Sequence, residues 1–256
     1  MNHFILKGAT LFIAWSEDRY RPTKDLDFLG FGDASAPALK KIFQEICDLE
    51  VEKDGLQFDR NSVKIVEIRE GMDYPGKRIT LIAFLGKARI NLRIDIGFGD
   101  KVFPEALWQH FPTLLNLPKP WIRMYSPESV IAEKLHTIVN LGIANSRMRD
   151  YYDLFRLSEQ FNFKGAFLTN AVKQTFERRD TAIPEEVPLG LSPSFSNDRN
   201  KQTQWKAFIK KNNVHGIPDS LETVINRISI FLEPILKAVA LGDSFSKIWK
   251  AGVGWE

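Results

Sequence analysis

Two aspartates on one predicted strand constrain this chain more than any other feature. Residues 21–28 read RPTKDLDF, and in an extended conformation Asp25 and Asp27 share one face while Leu26 and Phe28 share the other. Two neighbouring carboxylates repel each other unless a proton or a cation lies between them, and Mg²⁺ takes both as oxygen ligands. The pattern is therefore typical of a metal site. An edge strand that presents both aspartates to water is equally compatible, because short motifs recur by chance.

The composition is that of an ordinary globular protein. Hydrophobic residues make up 44% and charged residues 26% of the 256 positions, which suffices for one substantial core or two modest ones. A net charge of +3 permits a nucleic-acid partner without requiring one. The single cysteine, Cys47, excludes an internal disulfide and a thiolate zinc cluster. Because we see neither an export signal nor a membrane-length apolar run, we expect a cytoplasmic protein that does not enter the membrane.

The first residues predict a strand, a tight turn and a helix. A short apolar segment is followed by Gly8, Ala9 and Thr10, and a second apolar run begins at Leu11. Backbone N–H groups at the start of such a helix attract phosphate. A plain connecting turn is the alternative interpretation.

Three later segments have the pattern of an antiparallel meander. Residues 63–68, 78–85 and 88–96 alternate or run apolar, and turn signals at 74–76 and 86–87 separate them. These segments predict three consecutive, hydrogen-bonded strands.

Asp95 in the last of these strands is a candidate third carboxylate. The isoleucines and leucine of this strand point one way, so Asp95 shares the opposite face with Arg89, Asn91 and Arg93. A solvent-facing Asp95 paired with Arg93 is the alternative. An acid pair with a third acid on a neighbouring strand is what a two-metal site for phosphoryl transfer requires.

The chain changes character near residue 120. Pro118 and Pro120 interrupt it, and the pattern after them is helical where the pattern before them is largely extended. We therefore place a domain boundary between residues 120 and 121 and expect an α+β protein.

Two charged residues of the second half lie where apolar ones are expected. A helix is predicted to begin after Ser126 and to end at Gly142, and it places Lys134 beside its apolar stripe. Asp150 begins the inward face of the next helix, so it requires a cationic partner such as Lys134, Arg147 or Arg149. A snorkelling lysine and a structural ion pair are one interpretation, and a lysine that reaches a triphosphate is the other.

The segment 199–215 is a candidate nucleic-acid footprint. It carries five lysines and arginines and no acid, with Trp205 and Phe208 interleaved. A solvated helix face above a buried aromatic stripe is an equally good interpretation.

Five segments, in this order, resemble the AbiEii/AbiGii toxin family of nucleotidyltransferases. They are residues 4–10 (FILKGAT), 21–28 (RPTKDLDF), 93–100 (RIDIGFGD), 129–135 (SVIAEKL) and 149–154 (RDYYDL). The resemblance extends over about residues 4 to 190. It implies a DNA-polymerase-β-like nucleotidyltransferase fold: a mixed sheet with flanking helices as the catalytic domain, residues 1–120, followed by a mostly helical domain, residues 121–256, that completes the nucleotide site and the acceptor cleft.

The resemblance also implies roles for individual residues. Gly8 and Thr10 match the phosphate-loop motif, in which Ala9 stands where relatives usually have Gly or Ser. Asp25 and Asp27 match the metal-binding acids. Asp95 is expected either to bind the second metal or to act as the base that orients the acceptor hydroxyl. Lys134 matches the nucleotide-contacting lysine and Asp150 the later acidic motif. The expected nucleotide-binding residues are Lys7, Gly8, Ala9, Thr10, Lys134 and Arg149.

The activity implied is transfer of a nucleoside monophosphate from a nucleoside triphosphate to RNA. The related MenT toxins add nucleotides to tRNA ends, so tRNA is the expected acceptor and Mg²⁺, with Mn²⁺ as an alternative, the expected metal. Such proteins are commonly the toxin of a toxin–antitoxin or phage-defence pair, which implies an antitoxin partner. The alternatives are transfer to a protein or small-molecule hydroxyl, and a catalytically silent nucleotidyltransferase-like binding module.

Overall fold

The structure, a computed structural model, describes residues 3–15, 21–52, 54–68, 76–113 and 115–256. The chain forms two compact units. The first unit consists of Met1–Asp100 and Leu107–Tyr125, and the second of Lys101–Ala106 and Ser126–Glu256. The predicted turn at Tyr74 and Pro75 lies outside the described residues.

One mixed sheet forms the centre of the first unit. Its strands, as far as the structure describes the chain, are β1 (Phe4–Lys7), β2 (Leu26–Gly30), β3 (Leu56–Ile68), β4 (Gly76–Leu85), β5 (Ala88–Phe98), β6 (Leu107–His110) and β7 (Trp121–Met124). Their order across the sheet is β3-β4-β5-β2-β1-β7-β6. The predicted meander is confirmed, since β3, β4 and β5 pair antiparallel in sequence order. The pairs β2–β5 and β1–β7 are parallel, so the sheet is mixed.

The strand–turn–helix prediction at the start of the chain is also confirmed. A 3₁₀ turn, Gly8–Thr10, follows β1 and leads into the short helix α1, Leu11–Trp15. Leu11 and Phe12 are buried, so the second apolar run is helical because it packs into the core of this unit.

One face of the sheet is covered by α2, Ala36–Cys47. Ser35 caps this helix by accepting a hydrogen bond from Ala38 N. Leu39 and Phe43 of α2 pack with residues from three strands, Val63, Ile79, Leu81, Ile94 and Ile96. Because side chains alternate along a strand, the polar residues between these positions lie on the opposite face.

The second unit is mainly helical. Its helices, within the described residues, are α3 (Pro127–Leu141), α4 (Met148–Gln160), α5 (Gly165–Arg178), α6 (Pro193–Ser196), α7 (Arg199–Asn212) and α8 (Leu221–Leu241). A small sheet adds β8 (Phe163–Lys164), β9 (Ile248–Lys250) and β10 (Gly254–Trp255). The predicted start of α3 is confirmed, because the Ser126 side chain accepts a hydrogen bond from Ser129 N. No helix in the described part of the chain is both long enough and apolar enough to cross a membrane.

Residues 101–106 belong to the second unit although both neighbouring segments belong to the first. Ser129 Oγ donates a hydrogen bond of 2.8 Å to the carbonyl oxygen of Phe103. The Phe103 ring also packs edge to face on Phe167 of α5. These contacts anchor the segment to α3 and α5.

The basic segment 199–215 is only partly exposed. Most of it forms α7, in which Trp205 is buried, and Lys201 is buried as well and donates to the backbone oxygen of Asn145. Arg199, Lys206 and Lys210 remain on the exposed side of the helix. One aromatic residue, Trp205, and one cation, Lys201, of the predicted footprint are therefore part of the core.

Candidate active site

Three predicted site residues lie side by side in the sheet of the first unit. Asp27 of β2 is opposite Asp95 of β5 in the parallel pair and opposite Lys7 of β1 in the antiparallel pair. Residues at paired positions point to the same face. The hydrogen-bonding register therefore aligns two acids and one lysine across three neighbouring strands.

Gly8 lies against the Asp27 side chain. Its φ is +73°, a conformation that glycine adopts without strain. A Cβ atom at this position would lie 2.8 Å from Asp27 Cβ and closer still to the carboxylate. Both the backbone conformation and the lack of space therefore require glycine here.

The other residues of the turn are held in place by local contacts. Thr10 is buried, and its hydroxyl donates to the backbone oxygen of Asp25 at 3.5 Å. Ala9 is half-buried within the 3₁₀ turn. The ammonium of Lys7 pairs with Asp100 at 3.0 Å and lies 5.6 Å from the centre of the Tyr125 ring. Lys7 is thus anchored by groups of its own unit.

Asp25 lies just before β2, whereas the alternation pattern places it within the strand. Its backbone oxygen accepts hydrogen bonds from the hydroxyls of Thr23, at 3.2 Å, and Thr10. These side-chain donors take the place of a strand partner, so the strand begins at Leu26. The Asp25 carboxylate is 3.3 Å from Arg93 Nη1 and its side chain is 32% exposed.

Asp95 is held by Arg78 of β4. The guanidinium donates two hydrogen bonds, of 2.8 and 2.7 Å, one to each carboxylate oxygen. The alternative prediction of an Asp95–Arg93 pair is therefore wrong. Arg78 is directly opposite Asp95 in the β4–β5 register, whereas Arg93 is two residues away on the same strand and pairs with Asp25.

The first unit offers donors suited to one hard cation. Asp25 and Asp27 are half-buried carboxylates, and Gly8 leaves space in front of the Asp27 carboxylate that a side chain would fill. Oxygen donors of this kind fit Mg²⁺, which completes its shell with water and phosphate oxygens. A second metal at Asp95 would lie beside the Arg78 guanidinium. Among the residues that the structure describes, no group of three or more His, Cys, Asp or Glu side chains is arranged to hold a metal.

The predicted site residues of the second unit form a buried ion cluster. Lys134 Nζ is 2.7 Å from Asp150 Oδ1 and 2.8 Å from Asp153 Oδ2. Arg147 donates to the other oxygen of Asp150 at 2.7 Å. Both aspartate side chains are fully buried. The prediction that Lys134 and Arg147 are partners of Asp150 is confirmed, whereas Arg149 is exposed.

Asp153 was not predicted from the sequence. It lies three residues after Asp150 on α4, so both acids share the helix face that meets Lys134. The three-residue spacing of the two acids is the sequence signal from which Asp153 could have been predicted. Two carboxylates and two cations neutralise one another here, and the cluster joins α3 to α4.

Burial and charge shift the pKa values of Asp150 and of its neighbour Tyr151. Burial alone raises the pKa of Asp150, but the charges of Lys134 and Arg147 outweigh it and hold the pKa at about 2. Burial, followed by the charge of Asp150, raises the pKa of the neighbouring Tyr151. Asp150 is therefore ionised at any physiological pH.

A mixed sheet with aligned acids beside a glycine turn, followed by a helical unit, is the arrangement expected of a nucleotidyltransferase. A sequence model described as nucleotidyl transferase AbiEii toxin, type IV toxin–antitoxin system, matches residues 1–227. The chain belongs to this family of nucleotidyltransferases, which confirms the resemblance and the enzyme class predicted from the motifs.

Two solved structures from Helicobacter pylori are similar to this chain. A candidate nucleotidyltransferase has a TM-score of 0.50 and 16% identity, with 95% of this chain and 90% of that chain covered. The protein JHP933 has a TM-score of 0.48 and 16% identity, with 94% and 87% covered. The first of these likenesses supports the predicted fold class. No curated protein matches the sequence significantly.

Gly8→Ala tests the space beside Asp27. We expect this substitution to abolish stabilisation by Mg²⁺ with a nucleoside triphosphate, because the new Cβ displaces the Asp27 carboxylate. Gly32→Ala is the matched control, since Gly32 also has a positive φ, +90°, but no atom lies within 4 Å of a Cβ there. Both variants carry a backbone penalty of about 1–2 kcal/mol. Equal nucleotide-dependent shifts in melting temperature for the two variants would contradict the close-contact argument.

Lys134→Ala tests the buried cluster. We expect the free energy of unfolding to fall by about 3–5 kcal/mol, because two buried carboxylates lose their shared cation. Arg149→Ala, which alters an exposed side chain, should change it by no more than about 0.5 kcal/mol. Chemical denaturation of both variants measures the difference. A loss below about 1 kcal/mol for Lys134→Ala would show that the cluster is not a structural support.

The low pKa of Asp150 predicts a specific acid sensitivity. A depressed pKa contributes stability that is present above the unfolded value of 3.8 and is lost as the pH falls through about 2. The contribution amounts to about 2 kcal/mol. Urea titrations at a series of pH values from about 5 down to about 2 should therefore show the difference in unfolding free energy between wild type and Asp150→Asn shrinking by about that amount. A constant difference would contradict the assignment.

Proposed function

We propose that this chain transfers a nucleoside monophosphate from a nucleoside triphosphate to a hydroxyl group of RNA, with tRNA as the acceptor. The observation that carries the proposal is the register of Asp27 with Asp95, beside the Gly8 turn. Membership of the AbiEii family supports a role as the toxin of a toxin–antitoxin pair, with an antitoxin protein as partner. We place the reaction in the cytoplasm and extend the role to phage defence.

Asp25 and Asp27 are the residues that would hold Mg²⁺, or Mn²⁺ in its place. When bound, the metal supplies neutralisation of charge on the triphosphate oxygens. Gly8 and Thr10 position the turn that faces the phosphates, and the lack of a side chain at Gly8 lets the backbone approach them.

The transfer itself exchanges one phosphorus–oxygen bond for another. The acceptor oxygen attacks the α-phosphorus, the bond from that phosphorus to the bridging oxygen breaks, and pyrophosphate leaves with the electron pair. Asp95 takes the proton of the acceptor hydroxyl. A carboxylate offers about four lone-pair positions, and Arg78 uses two of them, so Asp95 can accept a further hydrogen bond without releasing Arg78.

Lys134 and Arg149 are the proposed cations for the β and γ phosphates. Asp150 and Asp153 fix the Lys134 side chain in one orientation, which lowers the entropy lost when it contacts a phosphate. Because its charge is compensated within the cluster, its main contribution is a directional hydrogen bond to a phosphate oxygen.

Asp27→Asn tests the site directly. Purified protein is incubated with Mg²⁺, each labelled nucleoside triphosphate in turn, and total bacterial RNA. We expect the wild type to label a tRNA-sized band and Asp27→Asn to lower the rate at least about 100-fold, because the metal supplies several kcal/mol of charge stabilisation. Asp33→Asn is the control, since an asparagine oxygen can still accept the hydrogen bond from Ser35 N.

The remaining outcomes separate the alternatives. Full activity in Asp27→Asn would refute the site. Metal-dependent nucleotide binding without RNA labelling would redirect the search to protein or small-molecule hydroxyls. A wild type that binds no nucleotide would refute the enzymatic proposal and leave a silent binding module.

A further inference from the structure

A groove of about 410 Å³ lies in the first unit and includes Asp25 in its wall. Its charged lining consists of Lys24, Asp25, Lys64, Arg89 and Arg93. Four cations against one carboxylate leave a net charge of +3. We call this feature the basic groove.

The basic groove is formed by the face of the sheet that α2 does not cover. Arg93 of β5, Thr80 of β4 and Lys64 of β3 are opposite one another in the strand registers. Arg89 is four residues before Arg93 on the same strand, which separates them by about 13 Å. Starting from Arg93 beside Asp25, the groove therefore carries positive charge along β5 to Arg89 and across the sheet to Lys64.

Within the part of the chain that the structure describes, most of this positive charge is not compensated. Arg93 pairs with Asp25, whereas Lys64 and Arg89 are exposed and make no ion pair with any residue that the structure describes. Gathering like charges on one sheet face costs free energy, and an anionic ligand offsets that cost. The distribution over about 13 Å suits several phosphates spaced along a chain.

An exposed aromatic ring continues the basic groove. Phe84 of β4 is opposite Arg89 in the register, and 37% of its surface is exposed. Aromatic rings beside arginine side chains bind the unstacked bases of single-stranded nucleic acid. A site that bound an acidic peptide by charge alone would not require an exposed aromatic ring.

We propose that the basic groove is the acceptor subsite, which binds the phosphodiester backbone of a single-stranded RNA end. Lys64 and Arg89 contact its phosphates, and Phe84 stacks on a base. Because Asp25 lies in the wall of the groove, the terminal hydroxyl is delivered to the acidic residues. This inference rests on the proposed function and specifies where its acceptor binds.

The test is RNA binding without nucleotide or metal, so that it does not depend on turnover. A short single-stranded RNA with a free 3′ hydroxyl and a fluorescent 5′ label is titrated at several salt concentrations. We expect Lys64→Ala/Arg89→Ala to weaken binding at least about tenfold and to reduce the salt slope by about 1.4, the value for two lost contacts to a single strand. Phe84→Ala should weaken binding about five- to tenfold with an unchanged slope, because stacking releases no counterions.

Lys40→Ala/Lys41→Ala is the matched control. It removes the same charge from the exposed side of α2, away from the groove face of the sheet. We expect its affinity to stay within about twofold of wild type. Equal weakening by both double variants would overturn the proposal in favour of general electrostatic attraction, and unchanged binding by Lys64→Ala/Arg89→Ala would overturn it outright. Melting temperatures close to wild type show that the variants are folded.

Two further measurements separate this proposal from the function it rests on. The first measures binding of a polyaspartate peptide. If the peptide binds tightly, if Phe84→Ala does not change its affinity and if RNA binds weakly, nucleic acid is not the ligand of the groove. The second measures, on the same samples, the rise in melting temperature when Mg²⁺ and a nucleoside triphosphate are added together. Wild type that is stabilised by nucleotide but binds no RNA would refute the acceptor subsite and leave the nucleotide site standing. RNA binding without any nucleotide effect would support the groove and refute the transferase proposal.

Discussion

The parallel pairing of β2 with β5, two interior strands of the sheet, is the constraint on which the alignment of the acids depends. It places Asp27 opposite Asp95 through a ladder of backbone hydrogen bonds, so neither carboxylate relies on a loop for its position. The apolar contacts with α2 fix which face of each strand is buried. A slip of one residue would turn the acids toward that core, where an unpaired charge is strongly disfavoured. Packing of the core thus fixes the register of the strands, and the register determines which residues lie beside Asp27.

The two units use carboxylates in different ways. Asp25 and Asp95 are partly exposed, and each is paired with arginine in a way that leaves lone pairs for a ligand. Asp150 and Asp153 are fully buried and share one lysine. In the first unit an incoming cation or hydroxyl finds acceptors, whereas in the second the acids mainly hold two helices together. Lys134 therefore has a structural role, whether or not it also binds nucleotide.

The sequence was most informative where the signal is local. Both ends of α3 could be predicted, because Ser126 and Gly142 act on the backbone within one turn. The partner of Asp95 could not, since the register between strands is not visible in the pattern of a single strand. The start of β2 was misplaced by one residue because two threonine hydroxyls, one of them distant in sequence, compete for the backbone oxygen of Asp25. Family motifs indicated which residues belong together, but not how each is held.

The short excursion of residues 101–106 affects how the chain can be divided. The backbone passes between the two units three times, after Asp100, after Ala106 and after Tyr125. A fragment that ended before Trp121 would lack β7, which lies between β1 and β6 in the sheet, and would leave β1 as an unprotected edge prone to self-association. A fragment that ended at Tyr125 would keep the sheet but separate Phe103 from Ser129. Neither half therefore keeps all of its packing when it is expressed alone, and we expect protease nicking in this region to leave fragments that stay associated.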